Sequence, residues 1–382
     1  MFLAACQESP TSVGGGILNS SDLLNVQSIN SFDKSMAQHS SSFRKEISLG
    51  SSKRVLIGIY DGAVASSLIK FNFVLPDSVS LAVQNDKLTI TKSWIELPVT
   101  YKIGDLSTLN FTVKKILGAW TSSGFTEDSL AKLGIVDQNL VSGSLSKTDS
   151  LIKFNVDNFF AYEWMKNQVN NNSSLNKGLI FQPFNGSNAI VGIRALYSLV
   201  SKAQLPKVVC EVQYDSKKDT VFAYSSADLH VVSKSPISFS DDEIVVQAGL
   251  GIKSKLTFDL SQIPANSIIS AAKLVLYRDS LSTKIGSISS DSVFVNALYD
   301  STKDSIYTRL DSRLLVRKGN TYEGAITDIV QYWLSGSDRN QGLQIRIVSE
   351  DLTINKIVFR GSKYFDATLR PRLIIFLSNL DN

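Results

Sequence analysis

The sequence predicts an all-β protein with two tandem antiparallel jelly-roll β-sandwich domains, each carrying one short helix. Short runs of alternating apolar and polar residues recur along the chain between turn residues, which is typical of half-buried strands. Several landmarks recur in one order at an offset of roughly 165–190 residues, a domain-sized period. With 382 residues, 43% of them hydrophobic, the chain is long enough to bury two cores.

The clearest element is a helix at 326–336, followed by a strand that opens at Gly342. Its apolar residues fall at the i, i+3, i+4, i+7 and i+8 positions of one helical face: Ile326, Ile329, Val330, Trp333 and Leu334. A weaker copy of the helix lies at 156–164, and its strand follows Gly178. We therefore expect Trp164 and Trp333 to pack against the two cores.

Strands account for most of the remaining chain. The first half has strand-like runs at 54–59, 67–73, 88–91, 111–113, 178–181, 189–193 and 205–212. The second half has them at 243–246, 255–260, 271–277, 293–298, 342–347, 356–360 and 369–376. The polar stretch 215–219 predicts a junction, so we place the first domain at 51–214 and the second at 228–382. A fragment that begins near 228 should then fold alone.

The N-terminus predicts export. Leu3-Ala4-Ala5-Cys6 resembles a bacterial lipobox, whose cysteine is lipidated, although a four-residue match can arise by chance. Only five residues precede Cys6, so 1–6 is interpreted as a truncated signal remnant. Residues 7–50 are rich in Ser, Gly and Asn, which predicts a flexible tether, with room for a first strand near its end.

The second half carries a further resemblance. Its order of motifs is 256–260, Ile263-Pro264, 272–277, 326–333, Gly342-Leu343 and Arg370-Pro371-Arg372-Leu373. This order resembles the DNRLRE domain family, jelly-roll modules of secreted and surface proteins in bacteria and archaea. The first half resembles it more loosely, so the resemblance implies two tandem copies. Because some members bind carbohydrates, notably acidic polysaccharides, it implies the same ligand class here.

The composition gives little support for catalysis, a cofactor or nucleic acid. Basic and acidic residues nearly balance at 39 and 35, and no basic stripe is present. The two histidines, His39 and His230, fall outside the predicted domain interiors, and no Cys/His spacing suits a metal. Cys210 alternates with valines and is predicted to be a core residue. The turn at 241–243 is either a solvated acidic turn or a source of Ca²⁺ ligands.

Candidate glycan-binding residues are few. Aromatic rings stack on sugar faces and basic groups pair with uronate carboxylates, which selects Trp94, Trp120, Arg278 and Arg346. Trp120 follows a strand and can equally be a core residue. Arg370 and Arg372 flank Pro371, where they are expected to keep a sheet edge soluble.

The sequence as a whole predicts a non-catalytic lipoprotein at the outer membrane or cell surface. Its expected partners are a polysaccharide and, through Cys6, the membrane; self-association is also open. Two alternatives remain at this point: a structural subunit of an extracellular matrix or filament, and a polysaccharide-degrading enzyme. A carboxylate pair for glycoside hydrolysis is distant in sequence and leaves no motif, so the last alternative stays open.

Overall fold

The computed structural model describes residues 25–379, except 34–35, 236, 265–266 and 337–338. Strands make up 48% of the chain and helices 14%, and all strand pairings given below are antiparallel. The predicted all-β sandwich class is therefore confirmed. Cys6 and the first part of the predicted tether lie outside the described residues.

The first sheet forms the first sandwich, and its strands lie between residues 54 and 234. Two strands precede it, β1 (Asn25–Asn30) and β2 (Gln38–Arg44). Its own strands are β3 (Arg54–Tyr60), β4 (Ala63–Val74), β5 (Thr89–Gly104), β6 (Phe111–Lys115), β7 (Val141–Lys147), β8 (Leu151–Val156), β9 (Leu179–Pro183), β10 (Ala189–Arg194), β11 (Lys207–Tyr214) and β12 (Lys217–Lys234). They pair in the order β10-β3-β4-β12-β11-β5-β8-β7, and β9 joins β4 to β6.

The second sheet forms the second sandwich and includes both N-terminal strands. The strands from the second half are β13 (Glu243–Gln247), β14 (Ile252–Phe258), β15 (Ile268–Tyr277), β16 (Ser292–Asp300), β17 (Ser305–Ile306), β18 (Arg313–Lys318), β19 (Thr321–Ala325), β20 (Leu343–Ile347), β21 (Lys356–Arg360) and β22 (Arg372–Asn379). The order is β1-β22-β15-β19-β18-β16-β20-β14-β13-β21, with β2 on β14 and β17 on β16.

The two sheets have matching patterns of strand pairing. In the second sheet β13 lies between β14 and β21, as β3 lies between β4 and β10 in the first. Likewise, β20 joins β16 to β14, as β9 joins β6 to β4. The order β22-β15-β19-β18 likewise matches β11-β5-β8-β7. The long β12 pairs with both β11 and β4, and the equivalent positions on β22 and β14 are filled by β1 and β2.

Each sandwich is therefore completed by a strand that leads directly into the other one. β12 belongs to the first sheet but precedes β13, and β2 belongs to the second sheet but precedes β3. The structure departs from the predicted boundaries at both places. The range 25–44 is not a free tether, because its strands bond to β22 and β14; the predicted junction at 214–228 lies within β12 and the turn before it.

In the described part of the chain four α-helices accompany the strands: α1 (Asp77–Gln84), α2 (Glu127–Ala131), α3 (Asn158–Val169) and α4 (Thr327–Leu334). α4 occupies the predicted segment. Ile326, Ile329 and Val330 are fully buried and Trp333 is 8% exposed, all in the core of the second sandwich. In the first sandwich Trp164 of α3 is buried against Phe71 and Phe160. The predicted packing of both tryptophans is confirmed.

A third apolar cluster joins the two sandwiches. Buried residues of the first, among them Leu56 and Ile190, pack with Val245, Ile354 and Val358 of the second. Polar contacts cross the same junction: the Tyr101 hydroxyl donates to Asn355 Oδ1 at 2.9 Å, Arg54 Nη1 donates to the Leu352 carbonyl at 2.6 Å, and Lys356 pairs with Asp61 at 2.5 Å. In the described part of the chain, no helix is long and apolar enough to cross a membrane.

Candidate binding surface

The four predicted glycan-binding residues lie apart, two in each sandwich. Trp94 on β5 is only 9% exposed; its indole nitrogen donates to Glu96 Oε1 at 2.8 Å and the Lys153 ammonium covers its ring at 4.3 Å. The Trp120 indole donates to the Lys177 carbonyl at 2.6 Å, and its ring packs against an apolar cluster beside β12. The Trp94 ring is therefore largely covered, whereas the Trp120 ring stays partly exposed.

Arg278 and Arg346 lie in the second sandwich. Arg278 is half-buried just beyond β15, and its Nη2 donates to Ser280 Oγ at 3.1 Å. Arg346 lies on the outer face of β20, where its guanidinium stacks on the Phe294 ring at 4.6 Å. Among the described residues, no hydrogen bond, ion pair or ring contact joins any two of the four candidates.

The outer face of the sheet around Arg346 carries apolar side chains, whereas the outer face of a sandwich is usually polar. Register places Phe294 of β16 opposite Leu314 of β18 on one side and opposite Arg346 of β20 on the other. Leu314 and Val316 are 43% and 45% exposed, whereas Leu315 between them is buried in the core. We call Phe294, Leu314, Val316 and Arg346 the candidate surface. An exposed apolar patch with a polar rim is typical of protein interaction sites.

Charged residues hold the rim of this surface in place. Arg346 Nη1 lies 3.7 Å from Glu350 Oε2, and the Lys253 ammonium lies 3.2 Å from Glu350 Oε1. On the neighbouring part of β14, Lys255 pairs with Asp304. Because Arg346 is held by both the Phe294 ring and Glu350, little side-chain entropy is left to lose when it contacts a partner.

A cavity of about 440 Å³ lies where the two sandwiches and the β2–β3 connection meet. His230 of β12 lines it, and the charged side chains around it are Arg44, Glu46, Glu127 and Asp128. Neither ring nitrogen of His230 has a hydrogen-bond partner among the described residues, and burial lowers the pKa of the imidazole to about 3. A histidine that stays neutral and is 1% exposed is poorly placed for proton transfer to a substrate.

The other potentially reactive groups are also buried or dispersed. Cys210 on β11 is fully buried, and desolvation raises the pKa of its thiol to about 12, which suits a core residue and not a nucleophile. The carboxyl group of Asp241 pairs with Lys363 at 2.7 Å. Within the described ranges, no three His, Cys, Asp or Glu side chains are grouped as metal ligands.

Three of the four residues of the candidate surface were missed by the sequence reasoning, which found only Arg346. The missing signal was Leu314-Leu315-Val316, a run that is apolar on both faces of a strand. In an antiparallel sandwich the outer face is normally polar, so such a run marks either a covered strand or a binding face. The segment 313–318 had not been interpreted as a strand at all.

Comparison with known families changes the interpretation of the second half. The model of the TGF-beta propeptide family matches residues 194–372, slightly under half of the chain. The match runs from the end of β10 through β11, β12 and the strands β13 to β21 of the second sandwich, which include the candidate surface, whereas β1, β2 and all but the first residue of β22 lie outside it. Neither the curated proteins nor the solved structures contain a match to this chain.

The match corrects several expectations. The DNRLRE assignment is wrong, because a different family model matches and the comparisons give no evidence of tandem copies. The bacterial polysaccharide-binding lipoprotein, with its polysaccharide ligand and lipid-anchored membrane partner, is contradicted by the same finding, since the matching family is that of TGF-beta propeptides. The predicted export is supported, as the match indicates a secreted, extracellular protein. Over 194–372, the chain is similar to TGF-beta propeptides.

Proposed function

We propose that this chain is a non-catalytic extracellular binding protein that holds a growth-factor-type protein on the candidate surface. The proposal rests on the position of the candidate surface within the matched region. The outer-face row of Leu314, Phe294 and Arg346, in which Leu314 is exposed and the other two are partly exposed, lies inside the region that resembles TGF-beta propeptides.

The physical character of the surface supports a protein as the ligand. Aromatic and arginine side chains are enriched among the residues that dominate binding energy at protein interfaces. Here an arginine lies over an aromatic ring, beside two branched apolar side chains that are almost half exposed. Burying Leu314 and Val316 against a partner would remove apolar area from water, which favours association.

The reactive groups support a role in binding and not in catalysis. Cys210 and His230 are buried in uncharged forms, and Asp241 is engaged in an ion pair. No arrangement of nucleophile, base and orienting group is formed by the described Cys and His side chains, since the exposed His39 lies on β2 and Cys210 lies in the first core.

Binding to a purified TGF-beta growth factor tests the proposal. The full chain is immobilised, and biolayer interferometry compares it with the double variant Leu314→Asp/Val316→Asp. We expect at least about tenfold weaker binding, because two carboxylates would be desolvated at the contact. The matched control is Val74→Asp/Leu81→Asp, which replaces one valine and one leucine that are 57% and 58% exposed in the first sandwich. No binding by the unaltered chain, or an equal loss in both double variants, would refute the proposal.

A further inference from the structure

The N-terminal strands cover two sheet edges that belong to the second sandwich. β1 forms six residue pairs with β22, and β2 forms seven with β14. We call 25–44 the N-terminal strap, and the edges of β22 and β14 beneath it the acceptor edges. Without the strap, both edges would expose unpaired backbone N–H and C=O groups, which readily accept another extended segment.

The strap is held by its backbone and by small hydroxyl groups more than by apolar side chains. Ser40 is fully buried, and its hydroxyl lies 3.1 Å from Ser362 Oγ and accepts from the Ser362 amide at 2.8 Å. Ser42 Oγ lies 2.9 Å from Ser254 Oγ and accepts from the Val245 amide at 2.9 Å. Met36, 4% exposed, is the strap residue in the fully buried part of the second core.

The equivalent strand of the first sandwich is anchored differently. The part of β12 that lies on β4 buries Leu229, Val231 and Val232. Burial of such side chains is the main stabilising contribution in folding, whereas a hydrogen bond exchanged with water contributes little net stability. The described part of the strap is therefore anchored by fewer buried apolar side chains than the part of β12 that lies on β4.

The acceptor edge of β14 also borders the candidate surface. Arg346 on β20 is followed across the sheet by Lys253 on β14, and Lys253 lies opposite Phe43 of the strap. The Lys255 ammonium covers the Phe43 ring at 5.0 Å. A partner that contacts the candidate surface thus lies within one strand of the strap.

We propose that the acceptor edges are a strand-acceptor site, which binds an extended segment of the protein partner in place of the N-terminal strap. This deepens the proposed function, on which the identity of the partner as a protein rests. The site would select a small residue at the position of Ser40, which has no free space around it, and an apolar residue at that of Met36. Recognition elsewhere would come from the backbone.

Strand exchange with a peptide tests the site without any partner. A protease site is inserted after Glu46, which is exposed in the β2–β3 connection, and the folded protein is cleaved there. A fluorescent peptide of residues 25–44 is then added and its anisotropy is followed. We expect stoichiometric incorporation with release of the cleaved strap. A peptide with Ser40→Tyr should fail to incorporate, while His39→Tyr, at an exposed position of the same strand, should incorporate like the original.

The outcomes separate this site from the proposed function. No incorporation into the cleaved protein, or equal incorporation of both tyrosine peptides, would overturn the acceptor site even if the growth factor binds the candidate surface. Incorporation without growth-factor binding would support the acceptor site and refute the proposed function. If the cleaved protein elutes as a dimer after the strap is removed, the occupant is a second copy of the chain, and the assignment to a foreign partner is wrong. Tighter growth-factor binding after strap removal, by at least about tenfold, would support both.

Discussion

At the scale of single residues, β12 contains two titratable groups whose burial opposes their charged forms. His230 is completely enclosed, and burial lowers its pKa to about 3, with the nearby Arg54 guanidinium acting in the same direction. Asp228, two residues earlier on β12, has its pKa raised to about 6 by burial, although Leu196 N–H and Ser225 Oγ donate to it. Both side chains are therefore most stable in the fold when neutral.

The two groups act on stability in opposite pH windows. An unfolded histidine has a pKa near ~6.5, so the neutral His230 contributes stability at neutral pH that is lost as the pH falls from about 6.5 towards 3. An unfolded aspartate has a pKa near ~3.9, so the contribution of Asp228 is present below that value and lost as the pH rises towards about 6. Between about 6 and 4 the two effects partly cancel.

We predict that His230→Leu makes folding stability less sensitive to acid. Leucine has no proton to gain, and it leaves no polar group unpaired because neither imidazole nitrogen has a partner in the described structure. Urea unfolding midpoints at pH 7 and pH 4.5 measure the effect, and their difference should be smaller than in the unaltered protein. The control is His39→Leu, at an exposed site on β2, which should leave the difference unchanged. A His230→Leu protein with the original acid sensitivity would contradict the assignment.

At the scale of elements, a glycine precedes each of two strands that have equivalent pairings in the two sheets. Gly178 precedes β9 with φ 104°, and Gly342 precedes β20 with φ 92°. Both conformations are strained for any residue with a side chain. A Cβ atom on Gly342 would lie 2.5 Å from Thr257 Cγ2 and 2.9 Å from the Leu256 carbonyl oxygen, so space as well as backbone conformation requires glycine.

Gly342→Ala should destabilise the fold by about 1–3 kcal/mol for backbone strain, plus the cost of moving β14 away from the new methyl group. The comparison variant is Gly319→Ala in the turn between β18 and β19, where φ is 59° and the Cβ would meet open space. Chemical denaturation should show a larger loss for Gly342→Ala than for Gly319→Ala. Equal losses would show that the close approach to β14 is unimportant.

The elements also show which sequence signals suffice. α4 and β20 were predicted because the apolar residues of each keep one period throughout, and because Gly336 follows the helix and Gly342 precedes the strand. β2 was interpreted as tether because Gln38–Arg44 has hydroxyl residues where a strand usually has apolar ones. Ser40 and Ser42 are bonded to residues more than 200 positions away, and no local pattern reports such partners.

At the scale of the whole molecule, the expectation that a fragment from 228 folds alone has to be revised. Such a fragment lacks the N-terminal strap and ends with both acceptor edges exposed. It also takes residues 228–234 of β12 away from the first sandwich. The chain crosses between the two sandwiches twice, and periodicity along a sequence carries no information on such a crossing.

Moving the N-terminal strap to the C-terminal end of the second sandwich should give a chain that folds alone. Asn25 lies opposite Asn379, so the end of β22 is next to the start of β1, as the end of β11 is next to the start of β12. We predict that 243–379, joined by a short turn to 25–44, gives a cooperative thermal transition by circular dichroism, whereas 243–379 alone does not. The turn can copy Asp215-Ser216, which join β11 to β12 with positive φ values. Cooperative melting of the unextended fragment would contradict this.

The pairing of β1 with β22 also sets the order in which the protein can assemble during its synthesis. The first sandwich has all of its strands once Lys234 has emerged, but the second lacks its last strand until Asn379 has been added. Residues 38–44 can pair once β14 has been made, but residues 25–30 must wait unpaired while more than three hundred residues are added. Closing so long a loop is slow, because its entropy is lost before the contacts form. During that interval the cell holds a half-finished protein with an unpaired strand, which is the form most exposed to proteases and chaperones.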